Sequence, residues 1–97
     1  MVVGIAVFEL HVPAARSLKD KRRVVKGLID RLHHRFRLSI AETGYHDLRQ
    51  RSEISLAAVG NKHAEVEKIM EHARRIIDCE PEAELTQWNP QLLEGVD

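Results

Sequence analysis

Apolar residues crowd the segment from Val2 to Val12, and Pro13 ends it, a pattern that predicts a β-strand. Its two faces differ. Val2, Gly4, Ala6, Phe8, Leu10 and Val12 are all apolar and are expected to face a core. Val3, Ile5, Val7, Glu9 and His11 form the other face, and three aliphatics there hint at a covered or dimeric sheet face. Ser17 then reads as a helix N-cap, with Asp20 three residues on as an imperfect capping-box partner. Leu18, Val25, Leu28, Ile29, Leu32 and Phe36 recur at helical spacing. Leu38 to Thr43 predicts a second strand, Gly44-Tyr45-His46-Asp47 a turn, and Ile54 to Val59 a third strand closed by Gly60. No crossover helix fits between these two strands, so they are expected to pair antiparallel.

A second helix is expected after an Asn61 cap, on the stripe Val66, Ile69, Met70, Ala73, Ile76 and Ile77. Cys79 near its end reads as a small buried apolar group, and Pro81 breaks the helix. Ala83 to Trp88 predicts a fourth strand. Asn89-Pro90 is expected to open a tail through Asp97. The order βαββαβ specifies an α+β, ferredoxin-like sandwich: a four-stranded antiparallel sheet with two helices on one face. With 97 residues the chain is expected to form a single domain, 1–88 its core and 89–97 its C-terminal tail. That fold hosts unrelated activities, so it does not settle function.

Composition narrows the field. Hydrophobic residues at 43% and charged residues at 31% fit a soluble globular protein, and no apolar run is long enough to span a membrane. The start lacks the basic region and cleavage site of a signal peptide, which leaves a cytoplasmic protein as the expectation. A single cysteine excludes an internal disulfide and any cysteine-built metal site. Six histidines (His11, His33, His34, His46, His63, His72) include no helical i, i+4 pair, so no metal is expected. Phosphate-cradling glycine loops and a nucleophile elbow are absent, and no cofactor is expected. Glu9 and His11 share a strand face, but no nucleophile accompanies them in the pattern, and the expectation is a non-enzyme. Third-strand stacking aromatics of an RNA-recognition motif are also missing.

Net charge is zero, yet it is unevenly distributed. Residues 1–51 carry 11 Lys and Arg against five Asp and Glu, a net +6, and the remainder carries −6. Between Ser17 and Arg37 stand eight bases and two acids. On a helical wheel Lys19, Arg22, Arg23 and Lys26 fall together on one flank of the apolar stripe. Lys21 falls inside the apolar arc, and the expectation is a stem packed on the core edge with its ammonium in water; a functional ammonium at the end of the sheet is the other reading. A basic flank of this kind attracts a polyanion or simply solvates a helix face.

Glu9-Leu10-His11-Val12-Pro13 followed by Ser17-Leu18-Lys19-Asp20-Lys21-Arg22-Arg23-Val24-Val25 resembles the YlxP-like family of small bacterial proteins. The likeness continues through Leu38-Ser39-Ile40-Ala41-Glu42, Asp47-Leu48 and Gln50-Arg51, covering roughly residues 1–78. One departure is Arg49, where the family usually carries an aromatic, typically Trp, which puts any anchoring or lid role of that aromatic in question here. The resemblance implies a ferredoxin-like fold without an established activity. Family genes often sit among translation-factor and ribosome-maturation genes, which implies an association with RNA or the ribosome. Together, charge and resemblance predict an RNA- or ribosome-associated factor that contacts ribosomal RNA or a ribosomal subunit. Its nucleic-acid-binding residues would be Arg16, Lys19, Lys21, Arg22, Arg23 and Lys26. The rival expectation is a homodimeric regulatory or small-ligand module joined through the Val3/Ile5/Val7 face or an edge strand.

Overall fold

A computed structural model describes residues 1–95. The chain runs β1 (Val2–His11), α1 (Leu18–Arg35), β2 (Leu38–Gly44), β3 (Arg51–Gly60), α2 (His63–Asp78) and β4 (Glu84–Glu94). The strands form one antiparallel sheet in the order β2-β3-β1-β4, with both helices on one face. This is the βαββαβ arrangement expected from the alternation and the stripes.

The core follows the pattern that predicted it. Ala6, Phe8, Leu10 and Val12 of the β1 segment, Ile54, Leu56 and Ala58 of β3, and Val24, Val25, Leu28 and Leu32 of α1 are buried. From α2 come Val66, Met70, Ala73 and Ile77. Val24 belongs to this set although the sequence stripe omits it, because the helix buries an arc centred between Lys21 and Leu32. Helix α2 rests close against the sheet because Gly4 and Gly60 leave a notch for Val66. A Cβ at Gly4 would come 2.6 Å from Val66 Cγ1, and one at Gly60 would come 2.8 Å from Val66 Cγ2.

Ser17 caps α1 as expected: its hydroxyl accepts from the Asp20 N–H at 3.1 Å, and Asp20 Oδ2 accepts from the Arg16 N–H at 3.0 Å. The cap of α2 differs. Lys62 holds the N-cap position without a side-chain bond, since the helix starts one residue later than an Asn61 cap requires. Cys79 is exposed rather than buried, because at the C-cap it has left the stripe that faces the sheet.

The expected tail is the larger correction. Residues 89–94 continue β4, which pairs with β1 from His11↔Glu84 to Val2↔Glu94. Pro90 is tolerated opposite Ala6 because β4 is an edge strand and needs its ladder hydrogen bonds on one side only. Leu92 packs against the core, and Leu93 lies on the open face of the sheet. Residues 96–97 of the expected tail lie outside the described residues.

The end of β4 is tied to α2 by His63, which bonds Glu94 through Nδ1 and meets Glu67 through Nε2 at 3.0 Å. The Glu94 hydrogen bond raises the His63 pKa above its ordinary 6.5, with Glu94 and Glu67 charges adding to it against some desolvation. A raised folded-state value stabilises the fold fully below the unfolded pKa, and that stability is lost as pH rises through the folded one. The urea midpoint of the protein should therefore fall as pH is raised from below 6.5 through the folded value. A His63→Gln variant should lack that component, and identical pH profiles would contradict the assignment.

Candidate nucleic-acid interface

Six cations were expected to act together, and the folded chain separates them into three groups. Arg16, Lys19 and Arg22 are exposed at the start of α1, and among the described residues their side chains make no ion pair. Arg23 and Lys26 are exposed but paired. Arg23 grips Glu82 with two hydrogen bonds, of 3.0 and 3.2 Å, and Lys26 meets Asp30 at 3.0 Å one turn along. The Arg23 hydrogen bond and charge hold the Glu82 carboxyl below its ordinary value, and Glu82 in turn raises Arg23. The acidic second half of the chain thus neutralises part of the basic first half.

Lys21 is the third group, and both its expected exposure and its place among phosphate contacts are corrected by the fold. It is 0% exposed. Its ammonium donates to the carbonyls of Tyr45 (2.7 Å), Arg51 (3.0 Å) and His46 (3.3 Å) and lies 3.1 Å from Glu42 Oε2. Glu42 Oε2 also accepts from Ser52 Oγ at 2.6 Å. The stem cannot snorkel, because the β2–β3 loop closes over the end of the helix and supplies carbonyls where water was expected. Lys21 therefore pins that loop from within and offers no charge to a phosphate.

The pinned loop is bonded at several further points. Tyr45, at φ 59, also accepts at its carbonyl from the Leu48 N–H at 3.1 Å. Arg51 stacks 3.9 Å above the Tyr45 ring and donates twice to Glu9 Oε1, at 2.7 and 3.2 Å. Gln50 accepts from the Val12 N–H at 2.9 Å, and its side-chain amide donates to the carbonyls of Pro13 (3.2 Å) and Ala15 (3.3 Å). The loop bearing exposed Arg49 is thereby docked on the segment directly ahead of Arg16. Lys19, Arg22, Arg16 and Arg49 thus occupy one end of the molecule. Sequence reasoning left Arg49 out of this group because its loop is held there by contacts distant in sequence, the Gln50 bonds to the segment ahead of α1 and the Lys21 bonds to the loop carbonyls.

Glu9 and His11 do not pair with each other. Glu9 belongs to Arg51, and His11 Nδ1 lies 3.7 Å from Glu84. Both line a shallow cleft of about 610 Å³ with Arg49, Arg51, Thr86 and Gln87. A register shift in β4 between Glu9 and Leu10 of its partner strand shapes this cleft, and the Thr86 hydroxyl donates to the Glu9 carbonyl at 3.2 Å. Among the described residues, no group of three or more His, Cys, Asp and Glu side chains could hold a metal ion. Among the described residues, no helix is long and apolar enough to cross a membrane.

Comparisons with known proteins agree with the architecture. Over its whole length the chain is similar to the solution NMR structure of a de novo designed protein with a ferredoxin fold, at a TM-score of 0.50 and 14% identity, covering 88% of that chain. It is 38% identical over 85 residues to the "Uncharacterized protein YlxP" of Bacillus subtilis (strain 168), a match covering 88% of this chain and 92% of that relative. Residues 3–89 match the family model described as "Protein of unknown function (DUF503)". With one family model spanning nearly all of β1 to β4 and a relative of almost equal length, the chain belongs to the DUF503 family.

Proposed function

We propose that this protein is a non-enzymatic RNA-associated factor that acts on ribosomal RNA or a ribosomal subunit in the cytoplasm, through the end of the molecule where α1 begins. The observation that carries the reading is the set of exposed cations there that have no ion pair among the described residues: Arg16, Lys19 and Arg22, with Arg49 on the adjoining loop. Arg23 and Lys26 lie further along the same helix, but acids already neutralise them. Phosphate contacts of this kind fix position without reading sequence, so selectivity would come from RNA shape or from a protein partner. The partial positive charge at the α1 N-terminus adds a modest attraction for phosphate. A non-enzymatic role fits the neighbouring cleft, where Glu9, His11 and the Thr86 hydroxyl are each engaged in a contact of their own.

Salt dependence separates the two groups of cations. Each phosphate neutralised contributes roughly 0.7–0.9 to the slope of log K against log salt. An Arg16→Ala/Lys19→Ala/Arg22→Ala variant should lose about 2–3 units of that slope in co-sedimentation with ribosomal subunits. An Arg23→Ala/Lys26→Ala variant should change it little, because those charges are already compensated. Circular dichroism would first establish that both variants fold. Absence of binding at low salt, or an unchanged slope in the triple variant, would refute the proposal.

A further inference from the structure

The shallow cleft beside the proposed phosphate contacts contains an arginine that the fold has immobilised. Arg51 opens β3, and it is held in three ways. Its backbone carbonyl accepts from the buried Lys21 ammonium at 3.0 Å. Its Nε and Nη2 both donate to Glu9 Oε1, and its guanidinium carbon stands 3.9 Å from the centre of the Tyr45 ring. The Glu9 side chain is only 11% exposed, whereas that of Arg51 is 49% exposed. Arg51 lines the cleft and Tyr45 does not, so the ring backs the guanidinium from behind and the opposite planar face is turned to the opening. Glu9 compensates the charge. What Arg51 offers at that point is a flat, rigid surface, on which an unstacked base of RNA can lie.

The surroundings suit a nucleotide. Leu48, 47% exposed, supplies an apolar wall, and Gln87, paired with Glu9 in the β4 register, supplies an exposed amide that can both donate to and accept from a base edge. Arg49 lines the same cleft and also belongs to the cation group formed with Arg16, Lys19 and Arg22. A strand whose phosphates follow that group therefore passes the cleft mouth. The volume of about 610 Å³ falls among small-molecule sites, which accommodate one nucleotide and not a helix of RNA. Within a continuous duplex the base faces are covered by their neighbours and cannot reach Arg51. An ordinary surface arginine loses rotamer freedom when a base stacks on it, but Arg51 has already lost that freedom on folding.

We propose, on the footing of the RNA reading above, that this cleft receives one unpaired nucleotide of the bound RNA. Its base stacks on the Arg51 guanidinium, its base edge meets Gln87 and its phosphate meets Arg49, while neighbouring phosphates lie along Arg16, Lys19 and Arg22. The protein thereby prefers single-stranded or bulged RNA to a continuous duplex. A guanidinium takes the place of the stacking aromatics that β3 lacks.

Hexa-adenylate and a short blunt RNA duplex serve as probes, followed by NMR titration of the full chain across a salt series. Hexa-adenylate should shift the Arg51 Nε–H resonance and the backbone amides of Leu48 and Gln87. The duplex should leave these unmoved and shift only the amides around Arg16, Lys19, Arg22 and Arg49. Arg51→Lys keeps the charge opposite Glu9 but removes the planar face, and it should weaken hexa-adenylate about tenfold. Its salt slope and its affinity for the duplex should match those of the unmodified chain, because no phosphate contact is lost. Circular dichroism establishes that the variant is folded, and the shifts in the unmodified chain test the cleft independently of it. Binding of hexa-adenylate without a shift at Arg51, or with an affinity indifferent to Arg51→Lys, would overturn the nucleotide site and leave the phosphate contacts standing. Binding of neither RNA at low salt would overturn both.

Discussion

Replacing Lys21 with methionine should cost the fold about 3–5 kcal/mol, the range for removing one partner of a buried ion pair. For a domain of this size that lowers the melting temperature by roughly 15–30 °C. Methionine preserves most of the stem packing, so the loss isolates the ammonium. It strips a donor from the carbonyls of Tyr45, His46 and Arg51 and leaves the Glu42 carboxylate, which is 15% exposed, with Ser52 as its remaining partner among the described residues. Urea unfolding followed by circular dichroism reads the cost. Adding Glu42→Gln should return part of it, because the unpaired negative charge goes with the substitution. Amide exchange across residues 45–51 should quicken in the single variant, since the loop loses its internal pin. The RNA salt slope should not change, because the buried ammonium offers nothing to a phosphate. A loss below about 1 kcal/mol would mean that the ammonium is solvated after all.

The second large effect is expected at Gly4. An alanine there would ordinarily gain from the lower conformational freedom of its unfolded chain, by about 0.4–1 kcal/mol. Contact reverses the sign. The new Cβ would overlap Val66 Cγ1 at 2.6 Å and the flexible Met70 side chain, and Val66, branched at Cβ, has little rotamer freedom to yield. Gly4→Ala should therefore destabilise by about 1–3 kcal/mol, and Gly4→Val by more, as α2 is lifted from the sheet. Shaving the opposing side chain tests the cause. In a double-mutant cycle, Gly4→Ala/Val66→Ala should be markedly less damaging than the sum of the two single changes. Additive losses, or a neutral Gly4→Ala, would show that the helix does not sit in the notch.

Both residues were partly legible in the sequence. The alternation that placed Phe8 and Leu10 in the core also placed Gly4 there, but the need for glycine arises from the approach of a helix more than sixty residues away. Lys21 occupies a core position of the α1 wheel, Glu42 follows Leu38 and Ile40 on the inward face of β2, and Ser52 precedes Ile54 and Leu56 on that of β3. Each alone reads as an edge residue whose polar tip reaches water. Their convergence depends on the loop that covers them, and loop conformation leaves no periodic signal. Arg23 and Arg49 show the same limit from the surface side. The charge run located a basic helix, while the Glu82 partner and the Gln50 tether lie far along the chain. Misreading β4 had a simpler origin. Asn89-Pro90 is strong turn chemistry, and only the knowledge that the strand lies at the sheet edge makes it compatible with a ladder.

The place of β4 has a consequence for how the molecule comes into being. β1 is a central strand, and both of its neighbours come from later in the chain: β3 about forty residues on and β4 about seventy. Only the β2–β3 hairpin pairs locally. During translation β1 must therefore wait, with both edges unsatisfied, and its second edge is covered only when the segment through Glu94 has emerged. Until β4 has emerged, a nascent chain of this topology is exposed to misassociation along the open edge of β1.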